Sequence, residues 1–252
     1  MVSPFRRHQQ MVRGLKSAGP NHVSHRAAPA EPKPDTEAGL EYATLRVVLH
    51  DNIRTMHDID SVEARNPMKA EFAKTFADWI EGVLAAGEQG LAAQDEILVT
   101  NMIWALDYHD YDYALRIGAH VVKFGLVLPE RFKRTPACFL AENIAETALE
   151  QHELVSLEQL LQLLALVDGA DMPDQAKAKL HKAIGRAYDR KAEDLDPAAD
   201  NAPAGGKAAF VTEALVHLNR ARVLDPGVGV KTDIKRLDAQ LRKLEPADTP
   251  AE

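Results

Sequence analysis

From Leu40 onward, large apolar residues recur three and four positions apart, the spacing that lays one stripe of a helix against a core. Leu45, Val48, Leu49, Met56 and Ile59 predict a helix over about 40–62. Asn66-Pro67 reads as an N-cap with a first-turn proline. The face that follows, Phe72, Phe76, Trp79, Ile80, Val83 and Leu84, runs on to a stop at Gly87. Asp95, Ile97, Leu98, Met102, Ile103 and Leu106 mark the next helix, and DYHDYDY (107–113) reads as a turn. Helix resumes from Ala114 to Lys123 and stops at Phe124-Gly125; Thr135-Pro136 restarts it, with Phe139, Leu140, Ile144 and Leu149 on one face. Ser156 and Gln159 have capping-box spacing ahead of Leu160, Leu161, Leu163 and Leu164. Pro173 opens another helix. After a Pro- and Gly-rich gap (194–206), helices are expected over Lys207–Leu224 and Val230–Leu244.

No segment alternates with the two-residue period of a strand. The expected class is all-α: eight or nine helices, paired as hairpins by short loops and packed in one globular body. Ile184, Gly185 and Tyr188, with Ala214, Leu218, Ala221 and Pro226, fall on the tetratricopeptide pattern, interrupted by about 17 extra residues between the two helices. A weaker echo around Tyr113, Ala114, Gly118 and Val121 makes two partial units, fewer than a free-standing solenoid needs. The expected organisation is a disordered basic arm and linker (1–37), a helical body (38–190), a TPR-like helical segment (191–244) and a disordered acidic tail (245–252).

Charge changes the picture. The chain of 252 residues has a net charge of −8, but residues 1–30 hold Arg6, Arg7, Arg13, Lys16 and Arg26 with no acidic residue. A basic arm on an acidic body points to contact with a polyanion. Its charge also resembles a transit peptide, but Pro4, Gly14, Gly19 and Pro20 interrupt the amphipathic helix such a peptide needs. A tail without any partner is the plain alternative. The single cysteine, Cys138, excludes an intramolecular disulfide and suits a reducing cytoplasm. No apolar run is long enough to span a membrane.

Motifs for catalysis are scarce. NAPAGGKA (201–208) is the nearest approach to a phosphate loop, but Asn201 replaces its first glycine and Ala208 its hydroxyl. His50 and His57 stand seven apart, where metal pairs prefer four. Asp107, His109, Asp110 and Asp112 form a metal-like cluster whose place between two helices favours capping and turn formation. Asp95, Glu96, Asp171 and Asp174 have no spacing that demands a two-metal nuclease. No catalytic, metal-binding or cofactor-binding residue is assigned. LPERFKRTP (128–136) places Arg131, Lys133 and Arg134 ahead of a helix N-terminus, where side-chain charge and free N–H groups suit phosphate; a solvated loop is the alternative.

Long strings of the chain resemble one family. SPFRRH (3–8), AQDEILVTNMIW (93–104), VKFGLVLPERFKRTP (122–136), DMPDQAKAKLHKAIG (171–185) and ALVHLNRARVLDPGVGVKTDIKRL (214–237) are similar, in order, to the small terminase subunit of peduovirus-type temperate phages. The resemblance implies a subunit that recognises viral double-stranded DNA at the packaging (cos) site, forms a homo-oligomer, often a ring, and recruits a large terminase subunit carrying ATPase and nuclease. It implies work in the host bacterial cytoplasm. It adds weight to Arg6, Arg7, His8, Arg13 and Lys16 in the arm, and to Arg131, Lys133 and Arg134, as DNA contacts. Some relatives end in a long basic tail, whereas this chain ends in an acidic one. Two alternatives stand beside it: an endonuclease component that directs cos cleavage, and a TPR-like adaptor without DNA affinity.

Overall fold

The computed structural model describes residues 29–33, 35–195 and 206–244, and among these it contains ten α-helices and no strand. They are α1 (Glu37–His57), α2 (Val62–Lys74), α3 (Ala77–Glu88), α4 (Glu96–Asp107), α5 (Tyr111–Phe124), α6 (Pro136–Glu150), α7 (Leu157–Val167), α8 (Asp174–Asp194), α9 (Gly206–Leu224) and α10 (Lys231–Leu244). The all-α expectation holds. The chain divides into two compact units at Pro136. Residue 190, where the sequence reading places a boundary, lies inside α8. No described helix is long and apolar enough to cross a membrane.

In the first unit, α4 is the central element: its ten consecutive residues Ile97 to Leu106 are all buried. Helices α1, α2, α3 and α5 each pack on it. A helix buried on every side hides its first turn too, and the free N–H groups there must find partners without water. Asp95, with no exposed surface, supplies one. Its Oδ1 accepts from the Leu98 N–H at 2.9 Å, and its Oδ2 accepts from the Trp79 indole N–H at 2.8 Å. The Glu96 N–H donates to the Tyr42 hydroxyl at 2.9 Å, and Tyr42 stacks on Trp79 with ring centroids 5.6 Å apart. One carboxylate and two aromatic rings thus join α1, α3 and the start of α4. Farther along, α3 and α5 approach closely because position 87 lacks a side chain. A Cβ there would lie 2.3 Å from His120 Nδ1.

Several boundaries differ from the sequence reading. Asn66-Pro67 does not open a helix. Ser61 caps α2, its Oγ accepting from the Ala64 N–H at 3.3 Å, and Pro67 sits inside. The Asn66 side chain instead accepts from Lys69 Nζ at 2.9 Å. The face predicted from Phe72 to Leu84 is two helices, because the chain tightens at Thr75 and Phe76 (N–H to Phe72 and Ala73 carbonyls, 3.1 and 3.0 Å). The bend places Phe76 fully inside, its ring 6.3 Å from that of Trp104. The turn read across 107–113 is shorter. Asp107 ends α4, Asp110 caps α5 through the Tyr113 N–H, and Tyr111 is already helical and buried. Gly125 stops α5 as expected, at φ 67°.

In the second unit, Ser156 and Gln159 form the expected capping box at the start of α7. Helices α8 and α9 pack antiparallel, as Tyr188 meeting Phe210 and His181 meeting His217 require. Gly185 lets them close. A Cβ there would lie 2.6 Å from Leu218 Cγ and 3.1 Å from the Ala214 carbonyl oxygen. Val211, Ala214, Leu215 and Leu218 of α9 share an apolar cluster with Ile234 and Leu237 of α10.

Two predictions follow from this packing. Burial pushes the Asp95 carboxyl up to about 6, against the lowering pull of the Leu98 and Trp79 N–H donors. A folded-state pKa above the ordinary value means that its stabilising contribution is complete below about pH 4 and is lost as pH rises through 6. Trp79→Phe keeps the ring and deletes the donor, and a charged carboxylate needs that donor more than a neutral one. Denaturant unfolding followed by Trp104 fluorescence should show a loss of about 1–3 kcal/mol at pH 8 and a smaller loss at pH 5. Gly185→Val should destabilise the second unit by about 1–3 kcal/mol through overpacking, read as a lower melting temperature by circular dichroism.

Candidate nucleic-acid interface

Arg6, Arg7, His8, Arg13 and Lys16 lie outside the described residues. The second basic set, Arg131, Lys133 and Arg134, lies within them, on the loop after α5. That loop is pinned at its root. Leu126 and Leu128 are buried. The Gln94 side-chain amide bonds both backbone groups of Val127, donating to its carbonyl and accepting from its N–H at 2.9 Å each. The Phe132 N–H closes a turn onto the Pro129 carbonyl at 2.9 Å.

Beyond that turn the three cations are exposed. The Arg131 guanidinium lies 4.9 Å from the Phe132 ring centroid, a cation–π contact that steadies a long side chain. Lys133 Nζ donates to the Glu130 carbonyl at 3.2 Å. Pro136 then opens α6. A rigid root with a solvated cationic tip suits a phosphate backbone, which is bound by charge and orientation and not by a closed pocket.

Most of the other residues singled out in the sequence are engaged in the fold, while Asp171 is exposed ahead of α8. Asp107 pairs with Lys69 at 2.8 Å, and His109 Nδ1 meets the Tyr111 hydroxyl at 2.8 Å. Asp110 caps α5. His50 meets Glu96 at 3.0 Å, and Arg46 meets the same carboxylate at 2.9 Å. His57 closes α1. Asp95 serves the start of α4, and Asp174 stands in the first turn of α8, the placement that complements a helix dipole. Most of the phosphate-loop-like string, 201–205, lies outside the described residues. Among the described residues, no three His, Cys, Asp or Glu side chains converge to hold a metal ion.

Two features escaped the sequence reading. His181 and His217 meet Nδ1 to Nδ1 at 2.9 Å, so one ring must donate and the other accept. Burial lowers both pKa values, His181 to about 4 with His217 and Arg220 adding to the fall, whereas Glu213 opposes it at His217. Their separation of 36 positions hides the pair in the sequence. Beside them, α7, α8 and α9 enclose an open groove. Leu161, Leu164, Leu180 and Leu224 line it, with Lys177 and Arg220 at its edge.

Residues 46–175 match the family model described as phage small terminase subunit. The chain is also 36% identical over 250 residues to the "Terminase, endonuclease subunit" of Escherichia phage P2, covering 98% of this chain and 89% of that protein. No solved structure matches. With the family model spanning more than half the chain and the P2 similarity running through nearly all of it, this protein belongs to the phage small terminase subunit family.

Proposed function

We propose that this chain is the DNA-recognition subunit of a phage packaging machine. In this reading it binds viral double-stranded DNA at the packaging (cos) site, self-associates, and recruits and regulates a separate large terminase subunit in the host cytoplasm. The observation that carries the reading is the family match through the helical body, joined to a near end-to-end likeness with a phage P2 terminase subunit. The charge layout supports it. Arg6, Arg7, His8, Arg13 and Lys16 give each protomer a small cationic arm, and Arg131, Lys133 and Arg134 give it a cationic loop tip.

Few charges per protomer bind DNA weakly and lose affinity steeply with salt. Several arms tethered in one oligomer act at high effective concentration, so assembly converts weak contacts into a stable complex. The exposed face of α1, with Leu40 and Val47 each 62% exposed, is the surface assigned to self-association. The groove of the α8–α9 hairpin, apolar with Lys177 and Arg220 at its rim, is assigned to the large subunit.

A second reading takes its support from the printed name of the P2 relative, which makes that protein an endonuclease subunit. In it, this chain contributes to cos cleavage. Of the carboxylates weighed for such chemistry, Asp95 is occupied in capping α4 and Glu96 in pairing with Arg46 and His50, and Asp174 stands in the first turn of α8.

A fluorescence-anisotropy titration on cos-containing duplex, with magnesium present, separates the readings. The full chain is expected to bind with strong salt dependence and leave the DNA intact. Removing residues 1–30 should weaken binding at least tenfold at about 0.1 M salt and flatten the salt slope. Changing Arg131, Lys133 and Arg134 together to Ala should weaken it severalfold. Absence of binding by the full chain would sink the recognition reading and favour an adaptor. Cutting by the purified chain would favour the endonuclease.

A further inference from the structure

The acidic charge of the body is not evenly spread. Residues 31–173 carry 11 basic and 25 acidic side chains, whereas residues 174–244 carry 14 basic and 10 acidic ones. The excess is most concentrated on α10, KTDIKRLDAQLRKL, with five cations against Asp233 and Asp238.

The packing of α10 determines which of those cations face water. Ile234 and Leu237 are buried in the cluster with α9, and Leu241 packs against it. Along α8, Arg186 pairs with Asp233 at 3.1 Å, and Asp189 pairs with Arg236, in reciprocal directions. Lys182 Nζ adds a bond to the Val228 carbonyl at 2.7 Å. Partners advancing together, 182 to 189 on one side and 228 to 236 on the other, set α10 parallel to α8. The orientation of α10 about its own axis is therefore held from two sides.

The face turned away carries Lys231, Lys235, Arg242 and Lys243, all exposed and without a carboxylate partner among the described residues. Lys231, Lys235 and Arg242 lie within about 40° of one another around the helix and span about 16 Å along it, at 100° and 1.5 Å per residue. That length corresponds to about five base-pair steps of 3.4 Å along the duplex axis. Between the cations stand Thr232, Asp238 and Ala239. No large apolar side chain interrupts the face, whereas protein interfaces are anchored by buried aromatic and aliphatic groups. Lys and Arg on a rigid helix with small polar neighbours are the equipment for a phosphate backbone.

We infer that the exposed face of α10 is a second DNA-contact surface, binding the phosphates of double-stranded DNA without reading its bases. The inference rests on the DNA-recognition reading above and extends it to a part of the folded body away from the arm in sequence. The α10 contact holds duplex of any sequence at a fixed orientation to the second unit, while discrimination of the packaging site falls to other residues.

The test uses the full-length chain with Lys231→Ala, Lys235→Ala and Arg242→Ala combined, titrated onto labelled duplexes with and without the cos sequence across a salt series. Circular dichroism melting should match the unaltered chain, since none of the three residues is buried or paired. Affinity should fall at least tenfold at about 0.1 M salt for both duplexes alike, with the log–log salt slope shallower by about 2–3. A companion variant, Lys231→Arg with Lys235→Arg, should retain wild-type affinity. Unchanged affinity and slope in the triple variant, with the unaltered chain binding normally, would overturn this inference and leave the recognition reading intact. Unchanged DNA affinity with lost binding of the large subunit would likewise overturn it and give the face to a protein. No binding by the unaltered chain at any salt concentration would remove both.

Discussion

The first unit depends on satisfying the N-terminus of a helix that has no access to water. Helix α4 is buried without a break from Ile97 to Leu106, which strands the donors of its first turn. An unmet buried N–H costs more than an ordinary hydrogen bond contributes. Asp95 and Tyr42 remove that cost, and Trp79 holds Asp95 in place. A fully buried carboxylate is itself unfavourable when charged, and burial accordingly raises its pKa. The fold tolerates it because the carboxylate ties Trp79 of α3 to the start of α4, where Tyr42 of α1 also bonds.

Charge is used differently in the two units. In the first, acidic residues serve as caps, as Asp95 and Asp110 do, and in pairs such as Lys69–Asp107 and Arg116–Glu81. In the second, Arg186–Asp233 and Asp189–Arg236 hold α10 against α8, and the remaining cations of that helix stay in solvent. For a chain of net negative charge to bind a polyanion, attraction must be local. At cellular ionic strength the screening length is roughly 8 Å, so an isolated basic face is scarcely weakened by acids elsewhere on the molecule.

Much of the fold was legible because its signals are local. Ser156 and Gln159 capped α7 as their spacing implied, Gly125 ended α5 in the left-handed conformation, and Gly185 stood where two helices come close. The misread places were those where a local signal competed with packing. Asn66-Pro67 resembles a helix start, yet Ser61 begins the helix five residues earlier. The apolar run from Phe72 to Leu84 resembles one helix, yet burying Phe76 beside Trp104 bends it in two.

The sequence by itself determined the helical class, most helix ends, the asymmetric charge and the family, because periodicity, capping chemistry and long matched strings all act within a few residues of one another. Only the tertiary structure decided which polar groups are consumed and which remain available. Asp107, Asp110 and His109 look like ligands in a row but are spent on Lys69, on the cap of α5 and on Tyr111. The His181–His217 pair and the free face of α10 arise from contacts 36 and 47 positions apart. Such pairings depend on how helices rotate and settle against one another, and that is set by the packing of all their apolar faces at once.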